Sequence, residues 1–596
     1  MTPLLDRIAG WARTKPAAAA YTFVDYLTDP DGVTRVCAWG PLHAGAVRLA
    51  QRLRTMAGPG ERVAILAPSG LEYVLALIAS WYAGAVAVPL FAPGLPGHAE
   101  RLAATFADCD PSCVVTVPAC GAEVRSFVAG RAPTLIVNYD EIVEMPDSGW
   151  RPPPAREDDV AYLQYSSGST RTPAGVEITH GNLTANVDQL CDTLTGGRPH
   201  LTGVNWLPLF HDMGLLATVA VPLRAGTDAV FLDPVAFLMQ PARWLRLLSG
   251  RTAAYTAAPD FAYDYCLRRP VPDDLDLSGV FLWLDGAEPV RAATLERFAD
   301  RLGLDRRAIC PAYGLAEATV YVAGHGIDRP PRVVAVDRDE LAAGRAVAAA
   351  GAGRTALVSC GPPAGQRVAV VDPGTGAALP DGRVGEIWVH GPNVARRYWR
   401  QPERSREVFG ARLAGESWLR TGDLGVLLDG ELFVTGRLKD LLIVAGRNHY
   451  PQDVEETVGE AVAALRRAAA FTVLAGDQER AVVVAEWSRS AGDRAAGDRA
   501  TEDQAAGDRA AGDRAAEDQA AGDQAAGDRA AGDRAAEVAR EVRQAVWRRH
   551  DLALHDLVLA EPGAIPRTTS GKVSRTGCRQ RYLDGHWSRA TAARDA

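Results

Sequence analysis

The sequence predicts an α/β protein with a large N-terminal domain of layered sheets and helices and a small α+β C-terminal domain. Apolar runs rich in β-branched residues alternate with Ala- and Leu-rich stretches through the first two-thirds of the chain. This alternation is typical of helices that cover largely parallel sheets. After Arg437 the pattern changes to short strands and one helix. The 596 residues also exceed what one hydrophobic core usually holds, so we expect more than one domain.

The predicted elements follow one another in a regular order. RVAILAPS is a strand, LEYVLALIASWYAG a helix and AVAVPLF a strand, and three later runs are read as strands of the same domain: AVFLD, VFLWLDG and VGEIWVHG. The C-terminal part contains the strands LLIVAG, AAFTVLAG and AVVVAEWS and the helix EVAREVRQAVWRRHD. We place the domain boundary at Lys439, which gives domains of residues 1–438 and 439–596.

Residues 491–536 form a low-complexity repeat inside the C-terminal domain. Units such as AGDRA recur with a period of five residues, carry no apolar face, and contain both Asp and Arg, whose charges largely cancel. A period of five matches neither a helix nor a solenoid. We interpret this segment as a solvated insertion between a strand and the last helix, with a docking role as the less favoured alternative.

Composition excludes several classes of protein. The chain is 47% hydrophobic and 23% charged, which is typical of soluble globular proteins. The net charge is −9 and the basic residues are scattered, so we expect no nucleic-acid partner. Nine cysteines in so long a chain do not indicate a disulfide framework, and Cys109, Cys113 and Cys120 lack metal-ligand spacing. We therefore expect a reducing cytoplasm.

One uncharged stretch is long enough to cross a bilayer. It runs from Tyr73 to Pro93, but Gly84 and Pro89 interrupt it, and we interpret it as a buried helix followed by a buried strand. The N-terminal residues contain no basic leader before an apolar core. We expect no signal peptide and no membrane span.

The segment YLQYSSGSTRTPAGV, from Tyr162 to Val176, carries the clearest chemical pattern. A run of small hydroxyl residues and glycine, residues 166–170, follows an apolar strand. Small side chains let backbone N–H groups turn toward an anion, and hydroxyls add donors, which suits the phosphates of a nucleotide. The run differs from the P-loop motif GxxxxGK[ST]. An ordinary Ser/Gly-rich surface loop is the alternative.

Three further motifs are each weak alone. In PAYGLAEATVYV, Tyr313 can stack on a base and Glu317 can hold magnesium, which prefers carboxylate oxygen. In SWLRTGDLGVLLDGELFVTGRLKD, Asp423 in a predicted TGD turn can accept two ribose hydroxyls, and Arg437 ends a second strand. In IPRTTSGKVSR, Lys572 can stabilise negative charge as a carboxylate and a phosphate join. The alternatives are packing, two plain hairpins and a solvated tail lysine.

Together these segments resemble the adenylate-forming superfamily of acyl-CoA synthetases, peptide-synthetase adenylation domains and luciferases. The resemblance covers nearly the whole chain except the repeat. It implies a large N-terminal adenylate-forming domain, a small C-terminal domain that moves, and ATP and Mg²⁺ as cofactors. It implies a nucleotide-binding set of Ser166, Ser167, Gly168, Ser169 and Thr170 at the phosphates, Gly286, Ala287, Glu288, Tyr313 and Gly314 at the adenine, and Asp423 and Arg437 at the ribose. It also implies that Glu317 binds Mg²⁺, that Lys439 is the hinge and that Lys572 is the catalytic lysine.

Within the superfamily the sequence most resembles fatty-acyl-AMP ligases. The segments that carry this likeness are NWLPLFHDMGL, DPVAFLMQPARWL, DGAEPV and GRNHYPQDVE. The phosphate loop reads TRTPAG, with Arg171 and Ala174, where most superfamily members have a lysine, and the same change is typical of this branch. About forty residues separate Glu317 from Ser359. The extra segment, about residues 327–357, resembles the insertion that restrains domain movement in that branch and disfavours CoA as acceptor. A neutral surface loop is the alternative.

This resemblance implies a complete reaction. A fatty acid, bound near His211 in an apolar tunnel, reacts with ATP to give acyl-adenylate and pyrophosphate. A thiol on the phosphopantetheine arm of an acyl carrier protein, or of a carrier domain in a polyketide or peptide synthase, then takes the acyl group. A structural role for His211 is the alternative. Two other functions stay open, a fatty-acyl-CoA synthetase and a catalytically silent nucleotide- or acyl-binding protein.

Overall fold

The computed structural model describes residues 3–587 apart from 96–97, 166–172, 197, 199, 328, 352, 445, 477, 489–533 and 569–570. The chain divides into two compact units. The first comprises residues 1–336, 344–350 and 356–435, and the second comprises residues 337–343, 351–355 and 436–596. The division after Thr435 lies three residues before the boundary that the sequence suggests. Part of the 327–357 insertion, assigned to the N-terminal domain from sequence, belongs to the second unit.

An eight-stranded sheet forms one layer of the first unit. Six central strands are parallel, and one antiparallel strand closes each edge. In spatial order the strands are β14 (Tyr321–Gly324), β13 (Ile309–Gly314), β12 (Val280–Asp285), β11 (Ala254–Ala258), β9 (Thr202–Asn205), β10 (Asp228–Leu232), β1 (Ala19–Asp25) and β2 (Val33–Ala38).

A six-stranded sheet forms the second layer. It is parallel except for the last pair, a hairpin. In spatial order its strands are β6 (Thr134–Ile136), β5 (Cys113–Thr116), β3 (Arg62–Leu66), β4 (Val86–Leu90), β7 (Val160–Tyr165) and β8 (Gly175–Thr179). Central strands such as β4 are buried along their whole length, as expected for parallel sheets that are covered on both faces.

A third sheet is antiparallel. Its strands are β17 (Arg367–Val371), β18 (Gly385–His390), β20 (Glu416–Leu428) and β19 (Ala411–Leu413), and β21 (Glu431–Arg437) pairs with β20. The insertion contributes β15 (Val333–Asp337), α14 (Arg338–Ala342) and β16 (Arg354–Val358).

Helices pack on the sheets of the first unit. They are α1 (Leu4–Thr14), α2 (Trp39–Leu53), α3 (Leu71–Tyr82), α4 (Ala99–Cys109), α5 (Gly121–Val128), α6 (Tyr139–Glu144), α7 (His180–Leu190), α8 (Asp212–Gly214), α9 (Val221–Ala225), α10 (Pro234–Met239), α11 (Ala242–Leu248), α12 (Asp260–Leu267), α13 (Ala292–Leu302) and α15 (Pro402–Phe409). Two π-helical segments, Cys191–Thr195 and Leu215–Ala220, continue α7 and join α8 to α9. Short 3₁₀ turns occur at Pro118–Cys120, Arg306–Ala308 and Ala316–Ala318.

The second unit is a small α+β body. Its strands are β22 (Leu442–Val444), β23 (Arg447–His449), β24 (Leu465–Ala475), β25 (Gln478–Trp487) and β26 (Leu554–Ala560), and its helices are α16 (Pro451–Ala461), α17 (534–550) and α18 (Arg575–Leu583), with a 3₁₀ turn at Leu438–Asp440. The last three strands form one sheet. Its core includes Val454, Val483, Val542 and Val546.

The predicted fold class is confirmed, and the start of one helix differs from the sequence analysis. The uncharged stretch is α3 followed by β4, both buried, as expected. No helix in the described ranges is both long and apolar enough to cross a membrane. Helix α17 begins at residue 534, three residues earlier than expected and inside the predicted repeat. The rest of the repeat lies outside the described residues.

Candidate active site

The predicted adenine-bordering segment follows β12, at the edge where β11, β12 and β13 end side by side. Gly286 lies close to β13, because a Cβ atom there would be 3.1 Å from the carbonyl oxygen of Ala312. Ala287 has a φ of +70°, unusual for a residue with a side chain. The Glu288 carboxylate accepts a hydrogen bond from the Phe261 amide, 2.7 Å away near the start of α12. These contacts fix the segment between β13 and α12.

Two buried carboxyl groups adjoin this segment. Asp285 is completely buried, and neither of its carboxyl oxygens has a hydrogen-bond partner among the residues that the structure describes. Asp260 accepts a hydrogen bond from the Arg291 amide at 2.9 Å. Burial raises the pKa of Asp260 to about 7. Burial and the nearby carboxylates of Asp260 and Glu288 raise the pKa of Asp285 well above its ordinary value.

Tyr313 and Asp423, predicted from separate motifs, are in direct contact. Tyr313 lies in β13 and Asp423 in β20, and the phenol donates a hydrogen bond to the Asp423 carboxylate at 2.8 Å. Both side chains are almost fully buried. The structure therefore joins the residue predicted to pack on adenine to the residue predicted to bind ribose.

The TGD turn expected from the sequence is an irregularity inside strand β20. Gly422 has a φ of +70°, and the pairing between β18 and β20 shifts register beside it. The buried carboxylate of Glu386, on β18, accepts hydrogen bonds from the Gly422 amide at 3.1 Å and from Arg420 at 3.0 Å. This bulge gives Asp423 a fixed position within a sheet, because bulges redirect side chains without ending a strand.

Glu317 lies in the short 3₁₀ turn that follows β13. Gly314 begins this connection, and a Cβ atom there would lie 1.7 Å from the Val320 carbonyl oxygen, so only glycine fits. The Glu317 carboxylate is partly exposed and accepts a hydrogen bond from the Tyr398 phenol at 2.7 Å. Burial and the adjacent carboxylate raise the pKa of Tyr398, which keeps the phenol a donor.

The predicted phosphate loop, Ser166, Ser167, Gly168, Ser169 and Thr170, lies outside the described residues together with Arg171, and only its flanks are defined. Strands β7 and β8 pair antiparallel on either side of it. The Tyr165 phenol donates a hydrogen bond to Asp108 at 2.6 Å. The buried Ala174 follows the loop, and Gly175 packs against the Tyr165 ring, where a Cβ atom would be 2.9 Å from the ring. The hairpin is therefore firmly held at both ends of the loop.

Two of the segments that carry the likeness to fatty-acyl-AMP ligases, residues 205–215 and 233–245, pack against each other. The rings of Trp206 and Phe237 stack at 3.8 Å, and Phe261 and Trp244 contact the same cluster edge-on. His211 precedes α8, and its Nδ1 lies 2.6 Å from the Asp212 carboxylate. This contact gives His211 a local structural partner and leaves its predicted substrate role a prediction.

Arg437, Lys439 and Lys572 belong to the second unit, whereas the other described site residues belong to the first. Arg437 ends β21, and Lys439 lies in the following 3₁₀ turn, both exposed. Lys572 lies on a tight turn in which its amide donates a hydrogen bond to the Thr568 hydroxyl at 3.3 Å and its carbonyl accepts one from the Thr568 amide at 2.9 Å.

Arg575 connects the hinge segment to the lysine segment within the second unit. Its guanidinium forms two hydrogen bonds to Glu455, at 2.6 and 2.7 Å, and lies 3.5 Å from Asp440. Burial is opposed by these two carboxylates, and the pKa of Arg575 is raised. Because Asp440 follows Lys439 and Arg575 lies three residues after Lys572, one ion-pair network holds both segments.

Four residues that the sequence analysis did not single out shape this site: Tyr398, Glu386, Asp260 and Asp285. Tyr398 lies 81 residues from Glu317 along the chain. Asp285 directly precedes the predicted Gly286 and ends an otherwise apolar strand, which is the only local pattern that points to it.

Comparison with known proteins decides the family. A model described as AMP-binding enzyme matches residues 8–399, about two-thirds of the chain. The chain belongs to this family. The matched part contains the predicted phosphate loop, the adenine-bordering segment, Tyr313 and Glu317. It ends before Asp423 and before residues 436–596, which form most of the second unit.

Members with similar sequences and structures extend the likeness over the whole chain. A long-chain-fatty-acid–AMP ligase, FadD28, from Mycobacterium tuberculosis is 40% identical over 98% of this chain and 98% of its own. A putative fatty-acid–CoA ligase, fadD25, from the same organism is 40% identical over 98% of this chain and 97% of its own. A structure from work on fatty acyl-adenylate ligases from E. coli and L. pneumophila has a TM-score of 0.81 at 28% identity and covers 98% of both chains.

Proposed function

We propose that this AMP-binding enzyme is a fatty-acyl-AMP ligase. It activates a fatty-acid carboxylate with ATP, releases pyrophosphate, and passes the acyl group to the phosphopantetheine thiol of a carrier protein or of a carrier domain in a polyketide or peptide synthase. The full-length likeness to a long-chain-fatty-acid–AMP ligase supports the substrate class. The proposal includes a place in lipid or polyketide assembly.

The hydrogen bond between Tyr313 and Asp423 is the observation that carries this function. A ring at the end of β13 offers a stacking face for adenine, and the adjoining carboxylate offers acceptors for the two ribose hydroxyls. The Gly286–Glu288 segment would border the base at the neighbouring strand end. Arg437 of the second unit would complete the ribose contacts.

The first half-reaction is an in-line displacement at phosphorus. A carboxylate oxygen of the fatty acid forms a bond to the α-phosphorus of ATP. The bond from that phosphorus to the bridging oxygen breaks, and pyrophosphate leaves with the electron pair. Little covalent chemistry is required of the protein, which mainly holds the reactants in line and neutralises charge. Backbone and hydroxyl donors of residues 166–170 would bind the β- and γ-phosphates.

Glu317 fits the requirements of a magnesium ligand. It offers hard carboxylate oxygen, it is partly exposed, and the one phenol that is bonded to it among the described residues leaves lone pairs for a cation. Bound Mg²⁺ supplies positive charge that stabilises the departing pyrophosphate. Lys572 would place its ammonium group between the reacting carboxylate and the α-phosphate, where negative charge concentrates.

The second half-reaction transfers the acyl group to a thiol. The thiol sulfur attacks the acyl carbon, the bond from that carbon to the phosphate oxygen breaks, AMP leaves, and the thiol proton passes to solvent. A rotation at Lys439 would withdraw Lys572 before this step. Thr568 and Arg575 hold the Lys572 segment in the second unit, which supports its movement as a rigid part of that unit.

The insertion favours a carrier thiol over CoA. Asn448 donates a hydrogen bond to the Ala342 carbonyl at 3.2 Å, Arg447 pairs with Asp339 at 2.8 Å, and Arg338 donates to the Arg549 carbonyl at 2.9 Å, all within the second unit. These contacts attach helix α14 of the insertion to the strand and helix around it. They support the proposal that the insertion limits rotation at Lys439.

A product assay tests the proposal. Purified protein is incubated with ATP, Mg²⁺ and a twelve-carbon fatty acid, alone, with CoA, or with a phosphopantetheinylated carrier protein, and products are identified by mass spectrometry. We expect acyl-adenylate that persists with CoA and is consumed by the carrier. If fatty acids of every chain length tested gave neither acyl-adenylate nor pyrophosphate, the chain would be a catalytically silent binding protein.

A fatty-acid–CoA ligase is the second candidate, and the name of the fadD25 relative favours it. Rapid conversion of acyl-adenylate to acyl-CoA in the same assay would establish it. It would also show that the insertion does not exclude CoA in this chain.

A further inference from the structure

A strained turn follows Glu317 directly. Thr319 has φ of +67° and ψ of −62°, and the Val320 amide donates to the Ala318 carbonyl at 2.9 Å, which closes a three-residue γ-turn. This handedness of γ-turn is rare and strained for a residue with a β-branched side chain. Such strain persists only where surrounding contacts enforce it, and it concentrates at functional sites.

One segment, Asn393–Tyr398, enforces the turn; we term it the clamp. The Thr319 hydroxyl donates to the Asn393 carbonyl at 2.7 Å. The Asn393 amide group donates to the carbonyls of Ala318 at 3.1 Å and Tyr321 at 3.2 Å, on either side of Thr319. Thr319 and Asn393 are completely buried, so water does not compete for these hydrogen bonds.

The same clamp holds Glu317 itself at two points. The Ala395 amide donates to the Glu317 carbonyl at 2.9 Å, and the Tyr398 phenol donates to its carboxylate at 2.7 Å. The Tyr398 ring is 3% exposed and packs edge-on against Phe409 at 5.2 Å and under the Arg404 guanidinium at 4.4 Å. Packing therefore holds the Tyr398 phenol in one position, and its hydrogen bond fixes the orientation of the Glu317 carboxylate.

The clamp is also bonded to the hairpin that carries the predicted phosphate loop. The Glu177 amide donates to the Arg397 carbonyl at 2.9 Å, and the Trp399 amide, just beyond the clamp, donates to the Gly175 carbonyl at 2.7 Å. Asn182, which follows β8, donates to the carbonyls of Pro392 at 2.8 Å and Val394 at 2.9 Å. The clamp and its flanking residues thus contact both Glu317 and the strand that follows the predicted phosphate loop.

We propose that the clamp fixes the Glu317 carboxylate for divalent-cation binding and that Tyr398 is its positioning residue. This inference rests on the proposed function, because it takes Glu317 as the ligand of the cation that accompanies ATP. Outer partners that orient a metal-binding carboxylate typically change metal affinity or activity about 10- to 100-fold when they are removed. A phenol can orient the carboxylate and leave its charge available to the cation.

The test measures how much the cation contributes to nucleotide binding. The dissociation constant of a non-hydrolysable ATP analogue is measured by calorimetry with Mg²⁺ and with EDTA. The value in EDTA divided by the value in Mg²⁺ gives the cation's contribution to binding, without turnover. For Tyr398→Phe we expect this ratio to fall about 10-fold or more, with binding in EDTA unchanged. Tyr582→Phe removes a phenol that donates to Asp556 at 2.8 Å in the second unit, and this matched control should keep the wild-type ratio.

A second pair of variants tests the turn. Thr319→Ala removes the bond to Asn393 and should lower the ratio, whereas Thr319→Ser keeps the hydroxyl and should restore it. Glu317→Gln separates the role of Glu317 as cation ligand from the role of the clamp that positions it. If it lowers the ratio while Tyr398→Phe does not, the clamp inference is wrong and the role of Glu317 stands. If Glu317→Gln leaves the ratio at the wild-type value, the assignment of Glu317 as cation ligand fails, and the clamp inference fails with it.

Discussion

Removal of one hydroxyl should expose the coupling between the predicted adenine and ribose sites. Tyr313→Phe keeps the ring that would stack on adenine and deletes the 2.8 Å hydrogen bond to Asp423. Both side chains are almost fully buried, so a water molecule cannot easily replace the lost phenol as the donor to Asp423. A hydrogen bond to a charged group contributes about 1.5–3 kcal/mol. If that energy holds Asp423 in its ribose-binding position, kcat/KM for ATP should fall about 10- to 140-fold.

A double-mutant cycle makes this prediction specific. Pyrophosphate release is followed at varied ATP for Tyr313→Phe, Asp423→Asn and the double variant. Since the phenol would act through the carboxylate, the double variant should be no slower than Asp423→Asn, and the coupling energy should equal the effect of Tyr313→Phe. Tyr73→Phe, which removes another buried phenol that donates to the Leu90 carbonyl at 3.0 Å, is the matched control. If the fold-decrease in kcat/KM of the double variant equals the product of the two single decreases, Tyr313 and Asp423 act independently and the coupling is refuted.

Three further outcomes are expected. Lys572→Ala should abolish most adenylate formation but spare transfer from synthetic acyl-adenylate to the carrier, measured by mass spectrometry; normal adenylation would remove Lys572 from the mechanism. Asp260 has a pKa raised from 3.8 to about 7, so its contribution to stability falls as pH rises through that window. The melting temperature of Asp260→Asn, compared with that of the wild type at the same pH, should therefore rise across that window. A difference in melting temperature that does not change with pH would contradict the raised pKa. Replacement of residues 338–353 by a short Gly/Ser linker should let CoA consume the acyl-adenylate, whereas unchanged CoA rejection would show that the insertion is not the restraint.

The layered α/β architecture could be predicted because its signals are local. Strand β3 and helix α3 each carry an apolar pattern complete within about a dozen residues, so no distant contact is needed to recognise them. The predicted roles of Tyr313 and Glu317 also rest on a local signal, because both residues lie in one short motif. The division between the two units was harder to predict from the sequence. It depends on contacts between helix α14 and residues near Arg447, about one hundred residues apart, which no local pattern records.

The geometry around Asp423 shows a different limit. A TGD sequence predicts a turn, because glycine next to a polar residue commonly reverses the chain. Here the glycine takes a positive φ inside a paired strand, and the buried Glu386 on the adjacent strand accepts its amide hydrogen. Whether such a glycine forms a turn or a bulge depends on the neighbouring strand, which the local sequence does not contain.

Three carboxylates at or beside the proposed ATP site share one kind of partner, a tyrosine phenol. Tyr398 donates to Glu317, Tyr313 donates to Asp423, and Tyr165 donates to Asp108 beside the predicted phosphate loop. An arginine would orient a carboxylate as well, but it would neutralise the charge and compete with a cation or with ribose hydroxyls. A phenol occupies one lone pair of the acceptor and carries no charge. Carboxylates that must bind a ligand can therefore be fixed in direction and still keep their capacity to bind. By contrast, Glu455 is paired bidentately with Arg575, which suits a carboxylate that holds the second unit together.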